Sequence, residues 1–320
     1  MRDWPRVVSL LPSTTEIACA LGAREALVGR SHECDFPPGV ETLPALTAPK
    51  LDASAPSAVI DGRVKQLVAR GLSVYEVDAA KLRALEPDVI LTQTHCEVCA
   101  ASRADVEAAL AEWLGAKPAV VALEPATLGD VWRDFYRVAE ALGVPERGRA
   151  LAAEATDRIS TLGERAAAAA QRDGRPRVAC IEWIEPLMAA GNWVPELISL
   201  AGGASVFGQA GQHSPWLELD ALVAADPDAA VVMPCGFDLA RTRSEIPPLA
   251  ARPEFRALRC VREGRTHLVD GHQYFNRPGP RLVESAEILA EILHPDAFAS
   301  THRGAAWEPL ENPALRLRST

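Results

Sequence analysis

Arg6-Val7-Val8-Ser9-Leu10-Leu11-Pro12-Ser13-Thr14-Thr15-Glu16 reads as a strand, a tight turn and the start of a helix. Arg6 to Leu11 is apolar and β-branched. Ser13 with Glu16 three residues on predicts a capping box, and Gly22 is placed to end the helix. A helix that begins just beyond a strand aims its unpaired amides at whatever lies above the strand end. Working outward, further strands are predicted at Leu27 to Gly29, Ser73 to Val77, Asp88 to Thr92 and Ala119 to Leu123. Helical spacing separates them, as in Lys81-Leu82-Leu85 and Val106-Leu110-Leu114. Such alternation predicts a largely parallel sheet.

After Asp173-Gly174-Arg175-Pro176 a second α/β pattern begins. It predicts a strand at Val178 to Trp183, a helix at Val194 to Ala201, strands at Ala229 to Met233 and His267 to Asp270, and a last helix from Pro280 to Leu293. The halves echo one another: Leu82-Arg83-Ala84-Leu85-Glu86-Pro87-Asp88-Val89-Ile90 matches Leu222-Val223-Ala224-Ala225-Asp226-Pro227-Asp228-Ala229-Ala230. Each is a helix end, a Pro-Asp turn and a buried strand. Between the halves, Pro145 to about Arg172 is rich in Ala, Glu and Arg. It is either one helix of roughly 40 Å or two shorter ones broken at Gly148 or Gly163. The expected division is an N-terminal α/β lobe over 1–144, a linking helix over 145–172 and a C-terminal α/β lobe over 173–320. Ligands of open α/β sheets sit beyond the carboxyl ends of strands, so two such lobes are expected to define a ligand cleft.

A chain of 320 residues is long enough for two cores. A net charge of −10 supplies no basic stripe for nucleic acid. No apolar run approaches the length of a membrane-spanning helix. The first residues pass straight into a strand with no export signal, and seven cysteines with one close pair do not read as a disulfide framework. Both points lead to the expectation of a cytoplasmic protein; a periplasmic one is the alternative if a signal has been removed. No nucleophile elbow, Walker loop, dinucleotide fingerprint or His-Glu-x-x-His helix is present, so the expectation is a binding protein and not an enzyme, with no required cofactor.

The segments that follow the predicted strands gather the candidate site residues. They are Ser13 and Thr14; His32, Glu33 and Cys34; Gln93, His95, Cys96 and Cys99; Trp183; and His272, Tyr274, Phe275 and Asn276. Trp193 and Trp216 lie near them. Aromatic faces clustered in the second half suit a large, flat apolar ligand; the alternative for each tryptophan is core packing. His32, Cys34, Cys96 and Cys99 form a soft donor set of the kind that takes zinc, if their loops meet. Reduced, buried cysteines are the other reading. His32, His95 or His272 could instead approach a metal carried by the ligand, or hydrogen-bond the ligand.

Arg6 to Glu16, Phe36-Pro37-Pro38, Pro87-Asp88-Val89-Ile90, Ser214-Pro215-Trp216 and Tyr274-Phe275-Asn276-Arg277-Pro278-Gly279-Pro280-Arg281 carry a resemblance. From about Arg6 to His294 the chain resembles the iron-siderophore and vitamin B12 class of ABC-transporter substrate-binding proteins. It is most similar to the cobalamin-binding branch, in particular a subgroup with Arg-Ser-His-Glu-Cys-Asp and Cys-Glu-Val-Cys-Ala, here Arg30 to Asp35 and Cys96 to Ala100. The resemblance implies two Rossmann-like lobes joined by one long helix, a corrinoid clamped between them, and a permease partner. Its alternatives are siderophore or haem on the same scaffold, or a cytoplasmic protein that handles metals or tetrapyrroles. By motif, His32 stands where a tyrosine usually contacts the corrin, and Trp183, Trp216 and Tyr274 to Asn276 stand at second-lobe contacts.

Overall fold

The computed structural model describes residues 4–69, 74–93, 106, 109–110 and 117–311. They form two compact units, each described by itself. Unit one comprises Met1–Ala55, Val59–Ala155 and Pro278–Pro280, and unit two the remainder.

In unit one, strands β1 (Val7–Ser9), β2 (Leu27–Arg30), β5 (Val89–Gln93) and β6 (Ala119–Leu123) form a parallel sheet in the order β2-β1-β5-β6. Helix α1 (Pro12–Ala20) follows β1, and α3 (Ala79–Leu85) leads into β5. Val8, Leu10, Leu46, Leu82, Ile90, Val106 and Leu110 make a shared core on one side of this sheet. Val106 and Leu110 thus bury two of the three predicted helical positions, and Leu114 lies outside the described residues. Two expectations are corrected. The strand predicted at Ser73 to Val77 is not part of the parallel sheet: β4 (Tyr75–Val77) pairs antiparallel with β3 (Thr47–Pro49) in a separate ribbon, and helix α2 (Ser57–Ala69) lies between the two strands in the chain. The Ser13–Glu16 capping box is absent. Helix α1 starts earlier, with extended Leu11 as N-cap and Pro12 at the first helical position, where its fixed φ and missing N–H cost nothing. Its other end is as expected: Gly22 is left-handed at φ 72°, and Gly22 N and Ala23 N donate back to Cys19 O and Ala18 O.

Helix α4 (Leu128–Ala141) begins with a Thr127–Asp130 capping box. The Ala-rich segment is one continuous helix, α5 (Pro145–Asp173), and the boundary between the units falls inside it. Gly148 does not break it; a Cβ there would stand 2.6 Å from Ala139 Cβ, so glycine is what lets α5 approach α4.

Unit two repeats the plan. Strands β7 (Arg177–Trp183), β8 (Met188–Ala189), β9 (Ala204–Ser205), β10 (Ala229–Val232), β11 (Thr266–Val269) and β12 (Trp307–Pro309) form a sheet in the order β12-β11-β10-β7-β8, with β9 parallel to β7. Its helices are α6 (Val194–Leu200), α7 (Leu219–Ala225), α8 (Leu239–Glu245), α9 (Pro247–Ala250), α10 (Pro253–Ala257), α11 (Arg259–Arg262) and α12 (Leu282–Leu293). On α5, Ile159, Leu162, Ala166 and Ala169 recur at helical spacing and are buried.

The sequence echo is a structural one. In unit one Asp88 Oδ2 accepts from Arg6 N at 2.7 Å, Arg6 O accepts from Asp88 N at 2.8 Å, and the Arg6 side chain donates to Leu85 O. In unit two Asp228 Oδ2 accepts from Arg177 N at 2.7 Å, Arg177 O accepts from Asp228 N at 2.8 Å, and Arg177 Nη1 donates to Ala225 O. Glu86 and Asp226, the helix C-caps before each Pro-Asp, are both left-handed. Each clamp ties a helix end and the starts of two adjacent parallel strands together, which fixes their register.

Two outcomes follow. Asp228 also pairs with Arg259 and is the better buried of the two clamp carboxylates, so Asp228→Ala is expected to cost about 2 kcal/mol and Asp88→Ala about 1, in urea midpoints; the reverse ranking would show that the clamp does not set stability. The second concerns His267, on β11 against the Trp307 ring, which burial above all, with Arg265 and Arg303, pushes down to about 4. An unfolded histidine binds its proton at a higher pH, so this contribution is complete above about pH 6.5 and is lost as pH falls toward 4. His267→Phe should flatten the loss over that window, by at most about 1.4 kcal/mol per pH unit; parallel wild-type and variant curves of stability against pH would refute the assignment.

Candidate functional site

The topology of each sheet says where to look. In unit one the chain leaves the central pair β1 and β5 in opposite directions, so a crevice opens beyond their carboxyl ends; in unit two the same holds for β7 and β10. The residues there are Leu10 to Thr15 and Gln93 in one unit, and Trp183 to Pro186 and Pro234 to Phe237 in the other.

In unit two, Trp183 stacks at a tilt on Phe237 with ring centroids 5.2 Å apart, and its Nε1 donates to Glu185 O. The Arg241 guanidinium lies over the Phe237 ring, 3.9 Å from its centroid. Beside it Ser214 Oγ donates to Glu182 Oε2 at 2.8 Å and accepts from Gly191 N. Two residues on, Trp216 is bridged to Met188 by backbone and is 56% exposed. The loop after β11 completes the face. Gly271 opens it, and a Cβ there would stand 2.6 Å from Met233 O and closer still to Pro234 O. Asn276 Nδ2 donates to Met233 O and Gly271 O, and Arg277 lies 2.7 Å from His272 Nε2. Arg281 lies over the Tyr274 ring and donates to Gln273 Oε1.

In unit one, Ser9, Thr14 and Thr15 interlock through their hydroxyls, and Thr15 Oγ1 donates to Cys34 Sγ at 3.1 Å. His32 and Tyr75 rings meet at 5.4 Å, Tyr75 OH donates to Glu33 Oε1 at 2.9 Å, and Thr47 Oγ1 lies 2.7 Å from His32 Nδ1. Burial holds the His32 imidazole below its usual pKa, against the opposing pull of Glu33, so the ring is neutral at pH 7. These are faces for noncovalent recognition: aromatic surface, a fixed carboxylate and a neutral imidazole.

A family description of periplasmic binding proteins matches residues 7–271. The chain belongs to this family. Among its relatives are the uncharacterized ABC transporter substrate-binding lipoprotein YvrC of Bacillus subtilis, 22% identical over 92% of this chain and 81% of that one, and the vitamin B12-binding protein of Photorhabdus laumondii, 23% identical over 90% and 88%. A solved periplasmic heme binding protein from Pseudomonas aeruginosa superposes with a TM-score of 0.70 at 20% identity, covering 97% of this chain and 96% of that one. The two-lobed α/β reading is thereby the architecture of a periplasmic binding protein.

For this binding protein the predicted site residues separate into groups. Trp183 ends β7, Trp216 lies on its bridge to Met188, and His272, Tyr274, His32 and Glu33 lie on strand-end loops, each with part of its surface open. Ser13, Thr14 and Gln93 are at strand ends but buried. Two aromatic candidates are corrected. Phe275 is fully buried, and Trp193 is 6% exposed with its Nε1 donating 2.6 Å to Phe275 O. Both fill the core beneath the loop and carry no ligand face. Asn276 keeps a partly open side chain, but its amide group bonds Gly271 O within the loop and Met233 O just after β10. His95, Cys96 and Cys99 lie outside the described residues. Among the described residues no group of three His, Cys, Asp or Glu side chains could hold a metal, and Cys34 is packed at 1% exposure under Thr15, so the zinc set finds no support.

Sequence reasoning missed Thr47, Tyr75, Ser214 and Glu182 as site residues, and Phe237 as the buried ring that supports Trp183. Ser214 was visible only inside a motif, and nothing local marked the ribbon that carries Thr47 and Tyr75. One expected outcome tests the core assignment: Trp193→Phe leaves the Phe275 carbonyl buried without its donor and should lower unfolding stability by about 1–3 kcal/mol, while Trp183→Phe should change it by under about 1 kcal/mol.

Proposed function

We propose that this periplasmic binding protein takes a corrinoid, cobalamin or a close relative, and presents it to an ABC-type membrane permease. The observation that carries the reading is Trp216, an indole left 56% exposed on a backbone bridge to Met188, the residue that pairs with Trp183 at the end of β7 in unit two. An aromatic face of that size in water suits a ligand with a broad apolar face. Unit two also holds a Glu182 carboxylate fixed by Ser214, and unit one, taken by itself, presents His32 and Glu33. A corrin is a flat macrocycle fringed with carboxamides, which both donate and accept hydrogen bonds. Vitamin B12-binding proteins among the relatives support the same choice. With a permease as partner, the working location is the side of the membrane from which the permease loads, and cell fractionation checks it.

The test is titration of the purified protein with cyanocobalamin, with cobinamide and with haemin, followed by visible absorbance and melting temperature. A corrinoid is expected to shift its own spectrum and raise Tm by mass action, with haemin weaker. Trp216→Ala should lose about 1–3 kcal/mol, or roughly 5- to 150-fold in Kd, with unchanged Tm of the unliganded protein. Tight haemin binding with no response to either corrinoid would transfer the assignment to a haem.

A further inference from the structure

Three groups converge on one oxygen in unit one. Thr47 Oγ1 lies 3.0 Å from the His32 backbone N, 2.7 Å from His32 Nδ1 and 2.9 Å from Ser31 Oγ. A hydroxyl offers one proton and two lone pairs. The His32 amide can only donate, so it takes one lone pair. One lone pair and one proton remain, and of Nδ1 and Ser31 Oγ one must donate and the other accept.

Ser31 decides between them. It is 4% exposed, and its hydroxyl oxygen makes one other bond, accepting from Glu33 N at 3.4 Å. Among the described residues, Thr47 Oγ1 is therefore the acceptor within reach of the Ser31 proton. The opposite arrangement would bury that proton without a partner, which costs a full desolvation penalty. So Ser31 donates to Thr47, Thr47 donates to Nδ1, and Nδ1 is the ring's lone-pair nitrogen. The surroundings of the other nitrogen agree: Glu33 Oε1 stands 4.0 Å from Nε2, a negative charge that favours a proton there. Thr47 is itself fixed, 7% exposed and paired in the β3–β4 ribbon opposite Val77.

We infer that Thr47 is a positioning residue that holds neutral His32 as its Nε2–H tautomer, so that His32 reads a hydrogen-bond acceptor on the ligand, such as a carboxamide oxygen, and does not coordinate the ligand's metal. The tautomer follows from unit one alone; the statement about the ligand rests on the corrinoid reading. A ring whose outward nitrogen carries a proton has no lone pair for cobalt. The contact selects ligands by the amides on their rim, not by an open axial position.

Long-range proton–nitrogen NMR of the 15N-labelled full-length protein without ligand, with His32 assigned by His32→Gln, reads the tautomer directly. The Nε2–H pattern is expected at pH 7. Thr47→Val, which cannot donate, should convert it to a mixture, and Thr47→Ser should restore it. An Nδ1–H pattern in the wild type, or a pattern unmoved in Thr47→Val, overturns the assignment whatever the protein binds. With cob(II)inamide, which lacks its own lower base, electron paramagnetic resonance should show no nitrogen splitting from the protein. A splitting that changes from triplet to doublet on 15N-histidine labelling, and vanishes in His32→Gln, overturns the ligand half. If no corrinoid binds, the proposed function fails, and with it the ligand half, while the tautomer measurement stands by itself.

Discussion

The constraint on which each unit depends is the clamp between an arginine and a Pro-Asp turn. A parallel strand pair has no hairpin to set its register, and each strand here is short, three to seven residues in the central pairs. Arg6 with Asp88, and Arg177 with Asp228, supply that register at the amino-terminal edge of the sheet. Everything at the opposite edge inherits its position from there: one residue of slip would turn Ser9, Thr92 or Glu182 to the other face. Binding groups and register-setting groups thus occupy opposite edges of each sheet, so loops can change their chemistry without disturbing the strand pairing.

Much of this was legible because it is written in period and punctuation. The strand at Ala119 to Leu123 has the same ends in sequence and structure, and the Pro-Asp echo marks the turn that both units share. Where reading failed, two local signals competed or the partner was remote. Ser13-x-x-Glu16 matches a capping box, yet Pro12 is itself a strong first-turn residue and moved the start of α1 upstream. Tyr75 to Val77 has the alternation of a strand, but alternation does not name a partner, and its partner is Thr47 to Pro49.

The candidate site was legible as a set of loops, not as a set of side chains. Trp193 and Trp216 are the same residue in the same half, and one is core while the other is exposed. Their difference arises from position: Trp193 precedes α6 and reaches the Phe275 carbonyl, whereas Trp216 sits on a bridge at the edge of β8. Likewise, His32 was visible as an imidazole, but its protonation is decided by Ser31 and Thr47, and the latter is fifteen residues away in sequence.

The absence of a side chain at residue 271 has a bearing on how such proteins diversify. The carbonyls of Met233 and Pro234 occupy the space a methyl group would need, so the segment leaving β11 and the one leaving β10 are interlocked like two pieces of joinery. Exchange of the aromatic loop between homologous scaffolds therefore has to move both pieces together, and a transplant that carries one without the other will arrive misaligned even when every ligand-facing residue has been copied.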